Sequence, residues 1–218
     1  MSYNSLDTWD HGKKSLGAHT NLTDTEKTLD ILWSEGVRPY HVILGTSFDG
    51  RAYTVMDSEC QEPGCPYASG SEPQSCSKEV GLMSNAEIKD AINRRGGKPV
   101  LHKDAAVQVM TFDNDQWVAY DDKKTLAMKA EYAQNRCLGG MMAWVSRDSH
   151  DTLLSAALGE AINSNRKSSA EPEKDGRNIG ARLSRDGQDT VLRHPQCKWT
   201  NCNEGIDTIR AFSSIPDC

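Results

Sequence analysis

The seven cysteines of this chain are the residues whose spacing most directly indicates chemistry. Cys60, Cys65 and Cys76 lie in a stretch rich in Gly, Pro and Ser, and Cys197 and Cys202 form a second close pair. Such clusters are typical of disulfides formed in an oxidising compartment. A zinc site is the alternative, but the C-x4-C and C-x10-C spacings lack a C-x2-C knuckle and a matched histidine pair. Because seven is odd, at least one thiol is free or pairs with another chain.

Composition limits the partners that the chain can have. Its 218 residues are 37% hydrophobic and 26% charged, with a formal net charge of -6. That charge argues against nucleic-acid binding, which needs a basic face, and leaves a neutral ligand such as a sugar open. No apolar run approaches the roughly 20 residues that span a bilayer, so no membrane partner is expected. No signal peptide follows Met1, and no cofactor or metal is predicted.

Four helices must position any site. The segment TDTEKTLDILWSE begins with a capping-box pattern from Thr23 to Glu26, and SNAEIKDAINRRGG repeats the pattern with Ser84 and Glu87. The segment DDKKTLAMKAEYAQNR is rich in alanine and favours a helix. In DTLLSAALGEAI, an apolar stripe predicts a helix packed on a core; the stripe contains Leu154, Ala157, Leu158, Ala161 and Ile162.

Two continuous apolar runs between these helices predict buried strands. They are YHVILGTSF, residues 40–48, and GGMMAWVS, residues 139–146. Runs without apolar–polar alternation, flanked by helices, indicate a parallel sheet covered on both faces. The opening MSY is expected to be a third strand. The order of elements predicts part of an α/β architecture with a long insertion that carries the cysteine cluster.

Several segments, in the right order and spacing, resemble catalytic domains of glycoside hydrolase family 18 chitinases, of the fungal, killer-toxin-like subgroup. MSYN is similar to M-x-Y-D of the sixth barrel strand, and VILGTSFDGRAYT to the seventh strand with F-Y-G-R. LGGMMAWVSRDS is similar to the eighth strand, and PGCPYASG and QWVAYDD to the inserted subdomain and its exit. TWDHG, HTNLT and CKWTNCNEG also match, the last loosely.

The resemblance implies an α/β fold: a partial TIM (β/α)8 barrel, strands six to eight, with an inserted α+β subdomain and a disordered C-terminal tail. The expected parts are barrel strands six and seven in 1–52, the insertion subdomain in 53–117, the last helix–strand–helix in 118–163, and a linker with a cysteine-containing tail in 164–218. A complete barrel takes roughly 250 residues, so the start is expected to be that of a truncated gene product, a mispredicted start or a processed remnant.

The resemblance also implies substrate-assisted, retaining hydrolysis of β-1,4-linked N-acetylglucosamine polymers, with a glutamic acid as general acid. That residue ends a D-x-x-D-x-D-x-E motif, which this sequence does not contain. No catalytic residue is therefore assigned, and the chain alone is expected to be inactive. Chitin or a chito-oligosaccharide is the expected ligand, a missing N-terminal barrel half is a possible partner, and the family resemblance implies an extracellular location.

The residues implied to bind substrate come from both ends of the match. Tyr3 resembles the tyrosine that contacts the acetamide carbonyl, Trp144 the tryptophan that floors the reacting sugar's subsite, and Arg51 the arginine that donates to sugar hydroxyls. Trp9 resembles an aromatic residue on the leaving-group side. For each, an ordinary packing or surface role is the alternative. The full implied set is Tyr3, Asn4, Trp9, Asp49, Arg51, Met142 and Trp144.

Two of these positions depart from the family pattern. Asn4 stands where the family has an aspartate, and Asp49 where it has a tyrosine. A buried Asp49 without a partner would be costly. Three functions therefore stay open: a chitinase domain that needs its N-terminal half, a catalytically dead module that still binds chito-oligosaccharides, and a non-functional remnant with exposed sheet edges.

Overall fold

The computed structural model of the chain describes residues 14–144, 156–160 and 211–212. Within these ranges the chain forms helices and strands of two separate sheets, and residues 156–160 are helical. The elements are α1 Leu22–Ser34, β1 Ile43–Ser47, β2 Gly50–Val55, β3 Tyr67–Gly70, β4 Leu82–Met83, α2 Asn85–Arg94, β5 Val100–His102, β6 Val107–Phe112, β7 Gln116–Tyr120, α3 Lys123–Asn135, β8 Gly140–Trp144 and β9 Ala211–Phe212.

The first sheet is the parallel one that the two apolar runs predicted. Strand β1 pairs with β8 in parallel from Ile43 opposite Gly140 to Ser47 opposite Trp144, and β9 adds to β8, also in parallel. Both strands therefore end at the same edge. The predicted α/β class with a parallel sheet is confirmed by this arrangement.

One face of the β1–β8 sheet packs against helices. Leu44 and Phe48 of the β1 segment and Met141 and Ala143 of β8 belong to one buried cluster. Helices α1 and α3 and the helical residues 156–160 complete this cluster with Leu29, Leu126, Ala130, Ala133 and Leu158. Because side chains alternate along a strand, Gly45, Ser47, Met142 and Trp144 lie on the opposite face.

The start of β8 requires glycine at position 139. A Cβ atom there would lie 2.2 Å from the carbonyl oxygen of Tyr40, a distance that no side chain can adopt. The chain passes this close because residues Pro39–His41 form a 3-10 turn just before β1. The predicted strand over 40–48 therefore begins later, at Ile43, because Pro39 starts a turn.

The second sheet is antiparallel and has the strand order β3-β2-β7-β6-β5, with β4 also paired to β2. Its alternating side chains fill a core on each face. Tyr53 and Trp117 lie in one core and Ala52 and Val118 in the other. Helix α2 covers the second face with Ile88 and Ala91. The chain enters this sheet at β2 and leaves it at β7. These two strands are neighbours, with Arg51 opposite Ala119.

Of the capping boxes predicted at the starts of two helices, one forms and the other does not. Ser84 and Glu87 form the predicted capping box at α2. At α1 the predicted box is wrong, because Thr23 lies inside the helix and Asn21 is the N-cap. The Asn21 Oδ1 accepts the backbone N–H of Thr23 at 2.9 Å. Asparagine is as good an N-cap as threonine or better, so the helix starts at the earlier residue.

The predicted disulfide within the cysteine cluster is confirmed. Cys60 and Cys65 are bonded, with their Cα atoms 5.6 Å apart. The loop that they close contacts the segment before α1: the backbone N–H of Leu16 donates to Cys65 O at 2.7 Å. Cys76 and Cys137 each take part in a disulfide as well. Cys197 and Cys202 lie outside the described residues.

Glu87 holds the loop that precedes α2. Its Oε1 accepts the backbone N–H groups of Cys76 at 2.7 Å and Ser77 at 2.9 Å, and its Oε2 accepts that of Ser84 at 2.8 Å. Burial alone would raise the pKa of this carboxyl, but the hydrogen bonds from these amides outweigh it and the pKa lies below 4.5. The ionised form is therefore the one that stabilises the fold.

Glu87→Gln is expected to lower the free energy of unfolding by about 1–3 kcal/mol near neutral pH, because an amide NH2 replaces an oxygen that accepts backbone N–H groups. Because the pKa of Glu87 is lower in the folded state, its ionised carboxylate stabilises the fold fully above its ordinary pKa of 4.5. This stabilisation is lost as the pH falls through the pKa of the folded state. Urea unfolding over a pH series measures it. The exposed Glu79→Gln is the control. If the difference in unfolding free energy between Glu87→Gln and the native chain does not shrink as the pH falls below 4.5, the assignment is contradicted.

Candidate functional site

An exposed indole stands at the carboxyl end of the parallel sheet. Trp144, the last residue of β8, is 47% exposed and pairs with Ser47, the last residue of β1. The backbone N–H of Phe48 donates to the Trp144 carbonyl at 3.1 Å, which fixes the two strand ends together. Trp144 lies on the face opposite the helices, so its ring is not part of the helix-packed core.

Met142 lies on the same face of β8, two residues before Trp144, and is partly buried. Its carbonyl accepts the hydroxyl of Thr46 at 3.4 Å. The structure thus places Met142 and Trp144 along one strand, with the thioether deeper in the sheet and the indole at its edge. A flat, exposed ring above an apolar side chain can stack on a ligand with an apolar face.

Asp49 and Arg51 follow β1 directly, at the same edge as Trp144. Asp49 is only 4% exposed, and its backbone N–H donates to Ser47 Oγ at 3.2 Å. Its side chain does not lack an interaction partner, so the buried, partnerless carboxylate that would be costly does not occur. Arg51 is partly buried in β2, where it pairs with Ala119 of β7. A carboxylate and a guanidinium therefore stand one residue apart where the barrel strand passes into the second sheet.

A buried polar cluster lies beneath this edge, and the residue patterns did not reveal it. It consists of His19, Thr20, Asp121, Thr125 and Lys129, all buried. Lys129 Nζ donates to Asp121 Oδ1 and, at 3.1 Å, to Thr20 Oγ1, and Thr125 Oγ1 donates to the same Asp121 oxygen at 2.7 Å. Because Lys129 is on α3 and Asp121 follows β7, the cluster joins the barrel helix to the exit of the second sheet.

Burial governs the charges of this cluster. The pKa of His19 falls to about 3, first because the ring is buried and then because the positive charge of Arg51 opposes protonation. The charge of Lys129 adds to this effect, while the hydrogen bond to the Asp49 carbonyl opposes it. Burial also lowers the pKa of Lys129, and the carboxylate of Asp121 acts against that shift. His19 is therefore neutral at physiological pH.

Several predicted site residues lie outside the described residues. Tyr3, Asn4 and Trp9 precede residue 14, so their roles stay predictions. Among residues 14–144, 156–160 and 211–212, no group of three His, Cys, Asp or Glu side chains could hold a metal ion. Within the same ranges no helix is both long and apolar enough to cross a bilayer.

The sequence matches one family over most of its length. The family described as "Glycosyl hydrolases family 18" matches residues 1–148. "Secreted chitinase LysM12" of Penicillium expansum is 27% identical over 67% of this chain and 11% of that protein. "Nod factor hydrolase protein 1" of Medicago truncatula is 26% identical over 70% of this chain and 40% of that protein. The chain therefore spans less than half the length of these relatives.

The fold matches solved structures to a similar extent. The class V chitinase from Nicotiana tobaccum superposes with a TM-score of 0.65 at 21% identity, covering 74% of this chain and 47% of that one. The family 18 chitinase from Cycas revoluta, solved in complex with (GlcNAc)3, gives a TM-score of 0.60 at 22% identity, covering 75% of this chain and 45% of that one. At these identities the likeness establishes the fold, and the chain spans about half of each structure.

Proposed function

The chain belongs to family 18 of the glycosyl hydrolases, and on this premise we propose that it is a chitinase-type domain that binds β-1,4-linked N-acetylglucosamine oligomers. The observation that carries the proposal is the exposed indole of Trp144 at the carboxyl end of β8, in register with the end of β1. Sites of barrels with this architecture lie at the carboxyl ends of their strands. The solved relative from Cycas revoluta holds (GlcNAc)3, which supports this ligand class.

Each binding residue has a physical role in this proposal. The apolar face of a pyranose ring stacks on the Trp144 indole, and Met142 supports that side of the subsite. Arg51 donates hydrogen bonds to sugar hydroxyls, and the buried Asp49 precedes it at the same end of the sheet. Tyr3 contacts the acetamide carbonyl, Asn4 lies beside it, and Trp9 lines the leaving-group side. These assignments rest on the motifs and are tested by substitution.

Hydrolysis in this proposal follows the substrate-assisted route. The acetamide oxygen of the sugar attacks the anomeric carbon while a glutamic acid protonates the glycosidic oxygen, with retention of configuration. The sequence contains no D-x-x-D-x-D-x-E motif to supply that acid. We therefore propose that these 218 residues bind sugar without cleaving it, and that cleavage requires the barrel half that carries the acid. A catalytically dead binding module is the alternative whole function.

The chain by itself is expected to show no hydrolysis of a fluorogenic chito-oligosaccharide. A positioned general acid contributes about 10²–10⁴-fold, and orientation of the acetamide adds more. Asp49 is the carboxylate next to the proposed subsite, but it does not belong to a D-x-x-D-x-D-x-E motif. The measurement is fluorophore release by purified residues 1–218 against buffer. Release that Asp49→Asn abolishes would contradict the prediction and identify a relocated acid.

Binding is tested separately from cleavage. Titration of the chain with N-acetylchitotetraose, followed by tryptophan fluorescence and calorimetry, is expected to saturate, whereas cellotetraose, which lacks acetamide groups, is the matched control. Equal binding of the two sugars, or of neither, would contradict the proposal.

An extracellular location is proposed from the Cys60–Cys65 disulfide, which forms in an oxidising compartment, and from the Penicillium expansum relative named as secreted.

A further inference from the structure

His19 contacts the backbone of the connection between the two sheets. Its ring is 1% exposed, and its Nε2 lies 3.0 Å from the carbonyl oxygen of Asp49, which is 30 residues away in the chain. The residues in contact belong to different parts of the fold: His19 precedes α1, whereas Asp49 joins β1 to β2. This long-range contact therefore constrains residues 48 and 49, which connect β1 to β2 and belong to neither strand.

The segment that carries His19 is itself anchored. The neighbouring Thr20 accepts from Lys129 Nζ at 3.1 Å, and the backbone N–H of Leu22 donates to Ala105 O at 2.9 Å. Lys129 is held by Asp121 and belongs to α3. The segment is therefore held to α3 through Thr20. The His19 ring links the same segment to the connection at Asp49.

We propose that His19 is a positioning residue, which holds the backbone at Asp49 so that the nearby Arg51 faces the sugar subsite beside Trp144. The inference rests on the proposed function for the identity of the ligand. It assigns a role to a residue that is not proposed to touch the sugar or a reacting atom and that acts through the carbonyl of Asp49.

The protonation state of the ring suits this role. A carbonyl oxygen can only accept, so Nε2 must carry the hydrogen and the neutral ring must be the Nε2–H tautomer. Among the residues that the structure describes, the charged groups that face it are Arg51 from β2 and Lys129 from α3, with Asp121, after β7, bonded to Lys129. Two nearby positive charges and burial keep the ring neutral. The hold on Asp49 therefore does not change between about pH 5 and 8.

Two substitutions separate the hydrogen bond from the packing of the ring. His19→Gln keeps an N–H donor at a similar reach, whereas His19→Leu fills the space without one. His41→Leu is the matched control, because His41 is an exposed histidine that precedes β1 at the opposite end of the strand. The readouts are the affinity for N-acetylchitotetraose by calorimetry and the backbone amide shifts and hydrogen exchange of residues 48–51 by NMR.

We expect His19→Leu to weaken binding by about tenfold, the factor that corresponds to losing one partner of a buried hydrogen bond. It should also speed amide exchange at residues 48–51, while His19→Gln stays within about threefold of the native affinity and His41→Leu changes neither readout. A folded His19→Leu chain with native affinity and native exchange would overturn the proposal, as would His19→Gln binding as weakly as His19→Leu.

Two further measurements keep the test decisive. If the native chain binds no sugar, the proposed function fails, but the exchange at residues 48–51 still decides whether His19 holds the connection. If His19→Leu does not fold, long-range proton–nitrogen spectra of the native ring decide. An Nε2–H tautomer without titration between about pH 5 and 8 supports the proposal, and an Nδ1–H tautomer overturns it.

Discussion

Lys129→Met is expected to lower the free energy of unfolding by about 3–5 kcal/mol, because it removes one partner of a buried ion pair and leaves the other charge behind. Asp121 Oδ1 accepts from Lys129 and Thr125, but among the described residues Asp121 Oδ2 has no hydrogen-bond partner. Without the ammonium group, the carboxylate must either stay charged in a buried site without a counter-charge from Lys129 or take up a proton. Both states cost free energy that unfolding releases.

Chemical denaturation measures this loss of stability, and two further variants serve as comparisons. Lys124→Met removes an exposed lysine from the same helix and is expected to change stability by less than about 0.5 kcal/mol. Adding Asp121→Asn to Lys129→Met removes the stranded charge, so the double variant should regain part of the loss. A Lys129→Met chain as stable as the Lys124→Met control would show that the ion pair contributes nothing to the fold.

Trp144→Ala is expected to weaken the binding of N-acetylchitotetraose by roughly 30-fold, equivalent to about 2 kcal/mol, the effect of truncating an aromatic residue at the centre of a binding site. Trp144 is 47% exposed, so its removal takes away binding surface at little expense to the core. The free energy of unfolding should therefore stay close to the native value. Fluorescence titration and calorimetry measure the affinity, and denaturation checks the fold.

Two variants test whether the ring, and not exposed apolar area in general, carries that affinity. Trp144→Phe keeps an aromatic face and should retain most of the binding. Ile31→Ala removes an apolar side chain that is 63% exposed on α1 and should not alter it. Native affinity in Trp144→Ala would show that the sugar, if bound, lies elsewhere than at the end of β8.

Local patterns predicted the elements whose stability depends on local chemistry. The Ser84–Glu87 capping box formed because both partners lie within one helical turn. The parallel pairing of β1 and β8 followed from apolar runs that only a sheet covered on both faces can bury. Near α1 the local signals competed, and Asn21 displaced the expected cap at Thr23. In both helix caps the deciding contacts connect residues only a few positions apart.

The contacts that fix the candidate site could not be predicted in this way, because they join distant residues. His19 meets Asp49 across 30 positions, and Lys129 meets Thr20 across 109. Lysine in an alanine-rich helix usually faces solvent, so no local pattern indicated that Lys129 is buried. Trp144 and Asp49 were proposed from the family motif, and their roles in binding stay predictions, as do those of Tyr3, Asn4 and Trp9.

The neighbouring positions of β2 and β7 bear on how chains of this architecture can change over generations. The inserted sheet begins and ends on adjacent strands, with Arg51 opposite Ala119, and adjacent strands lie about 5 Å apart. An ancestral barrel needs no rearrangement to accept or lose a unit whose two ends are already that close. What such an exchange must preserve is the residue pair that crosses the junction, Asp121 with Lys129, since a donor sheet that lacked the aspartate would leave a lysine buried alone.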